Sequence, residues 1–155
     1  MSEQVESIQS IVAGTDGSAT AERAVSRAGE LARALGVTVH LVSAYKRASD
    51  GAWAAAGAGM GMANLTPDDD ALAHGEAEEI VTRSGRRLKE LGVEVECHVC
   101  AGEAADALMS VAQNESATMI VVGNRGMHGA RRLIGSVPDR ISHHAGCEVL
   151  IVPTT

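Results

Sequence analysis

The chain has 155 residues and a formal charge of −7, with one Trp, one Tyr and no Phe, which suits a single domain (residues 1–155) with an aliphatic core. The acidic balance argues against nucleic acid as a partner, and the scarcity of aromatic rings removes the platforms on which single strands stack. No apolar run approaches the ~18 residues of a membrane span, and residues 1–10 lack the apolar stretch of a signal peptide, so the cytoplasm is the expected compartment, with Cys97, Cys100 and Cys147 reduced.

Ile8 to Gly14 reads as a short buried strand ending in the turn-forming run Gly14-Thr15-Asp16-Gly17-Ser18. Ala21, Ala24, Val25, Ala28, Leu31, Ala32 and Leu35 follow at helical spacing, and Gly36 stops that helix. Val37 to Ala44 predicts a second strand. Residues 47–70, rich in Ala and Gly and closing on Pro67 and three Asp, read as a flexible insertion inside the domain. Ala77, Ile80, Val81, Ser84, Leu88 and Leu91 make the apolar stripe of the next helix, which Gly92 ends.

Val93 to Val99 alternates apolar and polar residues, as expected of an edge strand with one wet face. Ala104, Leu108, Val111 and Ala112 mark a third helix. Met119 to Val122 is apolar throughout, a strand buried on both faces. A Gly-rich segment, a short helix over 137–145 and a last strand, Val149 to Val152, complete the chain. Strands alternating with helices imply an α/β fold: a mostly parallel sheet, doubly wound, with helices on both faces. Ligands of such sheets sit beyond the carboxyl ends of the strands, where strand order reverses. The loops after Gly14 and after Val122 should line that crevice.

The second of these loops carries the strongest chemical signal. Gly123-Asn124-Arg125-Gly126 lets backbone amides approach a ligand closely, and Gly135-Ser136-Val137-Pro138-Asp139 reads as a helix start whose free amides attract an anion. Arg125, Arg131, Arg132 and Arg140 accompany it against one acid, Asp139, a basic stretch on an acidic chain. A phosphate explains it; so does a well-capped helix with its arginines in solvent. Asp16 has two readings as well: a carboxylate for a ribose hydroxyl or for Mg²⁺ held by phosphates, or the acceptor of a local turn.

Ile11-Val12-Ala13-Gly14-Thr15-Asp16-Gly17-Ser18 resembles the opening of the universal stress protein family. The stretch from Val121 through Gly135-Ser136-Val137-Pro138 to Val152 resembles its closing half, and Gly102-Glu103-Ala104 its Gly-x-Pro turn. The resemblance implies a five-stranded parallel sheet of order 3-2-1-4-5 and a homodimer. It also implies ATP as ligand, with Mg²⁺ or with cyclic AMP as an alternative nucleotide. By it, Gly126, Gly135 and Ser136 hold phosphates, Asp16 meets ribose or metal, and Ala44 and Val122 flank adenine. Gly14, Thr15, Gly123, Asn124, Arg125 and Val137 complete the expected site. The chain departs from the pattern in having eight residues, Met127 to Ile134, between Gly126 and Gly135 where the family's ATP-binding branch has nine.

Other signals are set aside. Cys97 and Cys100 form a C-x-x-C, but on a strand they point to opposite faces, whereas a redox pair belongs at a helix N-terminus. His143 and His144 are adjacent and cannot face one ion from a helix. His40, His74, His98 and His128 are scattered along the chain. No nucleophile–base arrangement stands out, so binding is expected rather than catalysis. Slow ATP hydrolysis, an adenylating activity and an interaction protein with a vestigial pocket are the alternatives. Val149 to Val152, continuously apolar at an expected sheet edge, points to a second copy of the chain as its cover. No protein partner can be named from the residues.

Overall fold

The computed structural model describes residues 7–48, 57–59, 67–124 and 136–154. The described strands are β1 (Ser10–Gly14), β2 (Thr38–Tyr45), β3 (Val95–Ala101), β4 (Met119–Gly123) and β5 (Glu148–Val152). They form one sheet of order β3-β2-β1-β4-β5, parallel throughout. The helices among the described residues are α1 (Ala19–Leu35), α2 (Pro67–Glu90), α3 (Ala104–Asn114) and α4 (Val137–His144). The chain winds outward from β1 to β3, then crosses back to lay β4 on the other side of β1, so strand order reverses between β1 and β4.

Alternate strand residues feed two cores. Ile11, Ala13, Leu41 and Val121 pack with Val25, Ala28 and Ala32 of α1 and with Val81 and Leu88 of α2. Val12, Val42, Ile120 and Val122 pack on the opposite face with Ala105, Leu108 and Val111 of α3 and with Ile141 of α4. Glycine permits the closest helix contacts. A Cβ on Gly29 would lie 2.5 Å from Leu88, and one on Gly85 would lie 2.8 Å from the Cys97 sulfur. These two glycines let α1 meet α2 and let α2 lie down on β3.

Most boundaries expected from the sequence move by a residue or two. Strand β3 moves the furthest, running to Ala101 instead of Val99. One reading is corrected. Pro67 to Asp70, assigned to the insertion, are the first turn of α2. Pro is pre-set for that position, and Asp68, Asp69 and Asp70 face the positive end of the helix dipole. The Asp70 carboxylate also accepts a hydrogen bond from the Ala48 amide at 2.6 Å. The remainder of the expected insertion lies outside the described residues, apart from 47–48 and 57–59. Leu35 and Leu91, counted on the buried stripes, are 49% and 56% exposed. Leu35 is the last residue of α1, and Leu91 lies one residue past the end of α2. Among the described residues, no helix is long and apolar enough to cross a membrane.

Candidate functional site

The turn after β1 is built almost entirely by its own side chains. The Thr15 amide continues the β1–β2 ladder to the Val42 carbonyl at 2.9 Å. Its hydroxyl accepts from the Gly17 amide at 3.1 Å and donates to Glu22 Oε1 at 2.9 Å. Gly17 takes a positive φ of 78°, which costs glycine nothing. Asp16 Oδ1 accepts from the Ser18 amide at 2.9 Å, the local-turn reading of this residue. Ser18 then caps α1, its hydroxyl accepting from the Ala21 amide at 3.2 Å. Glu22 anchors the turn from beneath: it also accepts from the buried Ser84 hydroxyl of α2, with Arg87 Nη1 at 3.5 Å from its other oxygen.

The start of the segment after β4 is held by Thr154, two residues past β5. Asn124 Oδ1 accepts from both the amide and the hydroxyl of Thr154, each at 2.9 Å. The Asn124 amide donates to the Val152 carbonyl, and Arg23 Nη1 donates to the Thr154 carbonyl at 2.9 Å. A Cβ at Gly123 would lie 2.9 Å from the Thr154 methyl, so glycine is what lets this latch close. Asn124, nominated for ligand contact, therefore spends its carbonyl oxygen on Thr154.

Between these turns, at the carboxyl ends of β1 and β4, opens a cleft of about 230 Å³. Val42, Ala44, Leu108 and Val122 give it an apolar wall. Gly14, Thr15 and Asp16 line it from β1, and Gly123, Val137 and Pro138 from the β4–α4 side. A Cβ on Gly14 would press within 3.2 Å of Leu108, so that glycine helps keep the space open. Seven of the nominated residues thus line one cleft: Gly14, Thr15, Asp16, Ala44, Val122, Gly123 and Val137. Asn124 and Ser136 adjoin it in the chain without lining it. Arg125, Gly126 and Gly135 lie outside the described residues. The lining by Val42, Ala104 and Leu108 was not expected, because in the sequence they are indistinguishable from core. A larger cavity, about 590 Å³, opens near Met109, Thr118 and Glu148. It is at the amino ends of β4 and β5, away from the glycine turns.

Ser136 occupies the N-cap of α4, yet its side chain makes no capping hydrogen bond. Pro138 stands in the first turn of the helix, as suits a helix start. Of the four arginines in the basic stretch, Arg140 is the one in the described residues. It pairs with Asp106 Oδ1 at 2.7 Å, so α3 answers its charge.

The two thiols of the C-x-x-C do face opposite ways. Cys97 donates to the Val81 carbonyl of α2 at 3.6 Å, while Cys100 packs with Ala44 on the α3 face. Burial pushes both thiols above their usual pKa, Lys89 partly opposing this at Cys97. Neither is an activated nucleophile. The histidines are not all scattered. His40 and His98 approach within 3.1 Å, Nδ1 to Nε2, because β2 and β3 pair in a register that sequence distance does not reveal. Burial first, and then the His40 ring, draw the His98 pKa below its ordinary value, against Glu115 and Glu96.

A model of the universal stress protein family matches residues 7–153. The universal stress protein Rv1636 of Mycobacterium tuberculosis H37Rv is 36% identical over 151 residues, covering 95% of this chain and 97% of that protein. A universal stress protein crystallised in complex with cAMP superposes with a TM-score of 0.72 at 30% identity, over 97% of this chain and 100% of that one. The universal stress protein from Archaeoglobus fulgidus in complex with dAMP gives 0.65 at 25% identity, over 94% and 97%. With the sheet order and the cleft at its switch point, these matches establish that the chain belongs to the universal stress protein family.

Proposed function

We propose that this chain is a regulatory protein that binds an adenine nucleotide, ATP or cyclic AMP, and acts by binding rather than by turnover. The observation that carries the reading is the cleft between β1 and β4, with an apolar wall of Val42, Ala44, Leu108 and Val122 and the start of α4 at its rim. A purine needs flat apolar walls, and phosphates need amides at a helix N-terminus. At about 230 Å³ the cleft is smaller than the roughly 300–1,000 Å³ typical of drug-sized ligands. It therefore takes a base and sugar and leaves the phosphates outside it. The uncapped Ser136 hydroxyl, with Gly126 and Gly135 assigned by resemblance, is where they would go. The relatives bound to cAMP and dAMP support an adenine nucleotide as the ligand class.

The donor set fits a triphosphate better than a dedicated metal site. Asp16 supplies one carboxylate near the rim, so Mg²⁺ would arrive with the phosphates and keep most of its waters. That ion would neutralise phosphate charge; Asp16 orients the ribose or one metal-bound water. Turnover would need a base positioned at the γ-phosphate, and among the described lining residues Asp16 is the one carboxylate. The half-buried β5 residues, Val149 to Val152, face both cores from the sheet edge. We place the homodimer contact there, and a monomer in light scattering would contradict it. Titration calorimetry of the full chain with ATP, ADP and cAMP tests the main reading. Saturable binding of at least one is expected, and its absence at millimolar nucleotide would leave an interaction protein that keeps only the fold.

A further inference from the structure

The geometry points to a second site, for a divalent transition metal of the Zn²⁺ class, formed by His40 on β2, His98 on β3 and Glu115 at the carboxyl end of α3. One ligand atom from each lies within 4.8 Å of the other two. Three separate elements therefore converge on one point, and both ligand types, imidazole and carboxylate, are ones zinc accepts. His40 Nδ1 and His98 Nε2 are 3.1 Å apart. Tetrahedral bonds of ~2.0–2.1 Å require two ligand nitrogens ~3.4 Å apart, so a few tenths of an ångström of ring movement replaces the shared proton with a metal.

Several features favour a cation there. His40 is 5% exposed, with Val42 and Ala44 following it on the same face of its strand and Val12 beside it on β1. A buried imidazole at such a position needs partners, and those it has are metal-binding groups. Glu96 Oε2 stands 3.6 Å from His40 Nδ1, near enough to serve as fourth ligand or to orient the ring. Glu115 follows the last turn of α3 as its C-cap, where the helix dipole is negative and favours positive charge. Ser116 next to it takes a left-handed φ of 52°, the conformation in which a chain leaves a helix. That turn fixes where Glu115 sits. The site is independent of the nucleotide reading. His40 lies on the same strand face as Ala44, four residues away, or ~13 Å at ~3.3 Å per residue.

The test is calorimetric titration of the chelator-stripped full chain with Zn²⁺, alongside Co²⁺, whose visible bands report coordination. Expected are one zinc per chain, tetrahedral cobalt bands, and a loss of affinity of at least about tenfold in both His98→Gln and Glu115→Gln. Both positions are more exposed than His40, so these variants keep the fold, and circular dichroism checks it. The double variant His143→Ala/His144→Ala should bind as the parent does. No saturable uptake at about millimolar Zn²⁺ would overturn the proposal, leaving a hydrogen-bonded histidine pair. So would uptake unchanged in both single variants or lost in the His143/His144 variant.

Discussion

Two helices start beside the cleft, α1 and α4, each with a serine at its N-cap, and they use that serine differently. After β1, the Ser18 hydroxyl caps α1 and Asp16 closes the turn. Thr15 is tied down to Glu22. Every group named here already has a partner inside the protein. At α4, Ser136 holds the same N-cap position with its hydroxyl making no cap bond. The first serine is tied into the scaffold, and the second is the one the proposed nucleotide reading assigns to phosphate. The contrast teaches that a cap residue in a sequence identifies a helix start, but not whether its hydrogen bond is spent on the helix or kept for a ligand.

Four substitutions sharpen or break this contrast. Glu22→Ala should have the largest effect. It strips partners from Thr15 and from the buried Ser84, costing about 2 kcal/mol and lowering Tm by roughly 4–8 °C, read by thermal unfolding. Ser136→Ala should weaken nucleotide binding about tenfold, close to 1.4 kcal/mol, in calorimetry, while Tm moves by less than about 1 °C. Ser18→Ala should do the reverse, costing about 1 kcal/mol of stability and changing nucleotide affinity less than about threefold. Asp16→Asn keeps the turn acceptor and removes the charge. It should shift Mg-ATP affinity by about threefold and stability by a few tenths of a kcal/mol. Equal losses of binding in Ser18→Ala and Ser136→Ala would erase the distinction between the two turns.

The sheet was legible because its strands announce their environment. Met119 to Val122 is apolar at every position, as a strand covered on both faces must be, and Ile120, Val121 and Val122 are buried. Gly14 read as a turn former and Gly123 as a point of ligand approach, whereas both also lie against side chains that a Cβ would crowd, Leu108 and Thr154. What the sequence hid has physical causes. Pro67 and three aspartates carry equal weight as loop signals and as a helix start, and the dipole decides between them only once a helix is there. Asn124 looked like a ligand contact because Thr154, its partner, is thirty residues away. The His40–His98 pair depends on the register of two strands whose histidines are 58 residues apart. Leu108 and Val42 look like ordinary core until the cleft opens beside them. The resemblance of the two glycine-rich segments carried the family; periodicity alone carried only the fold.

The central claim is that an adenine nucleotide occupies the cleft between β1 and β4 with its phosphates directed at the start of α4. A crystal structure of the chain grown with excess ATP tests it directly. The account predicts the base against Ala44 and Val122 and a phosphate oxygen within hydrogen-bond reach of Ser136. A nucleotide bound instead in the larger cavity near Met109 and Glu148, or a cleft holding only water under those conditions, would contradict it.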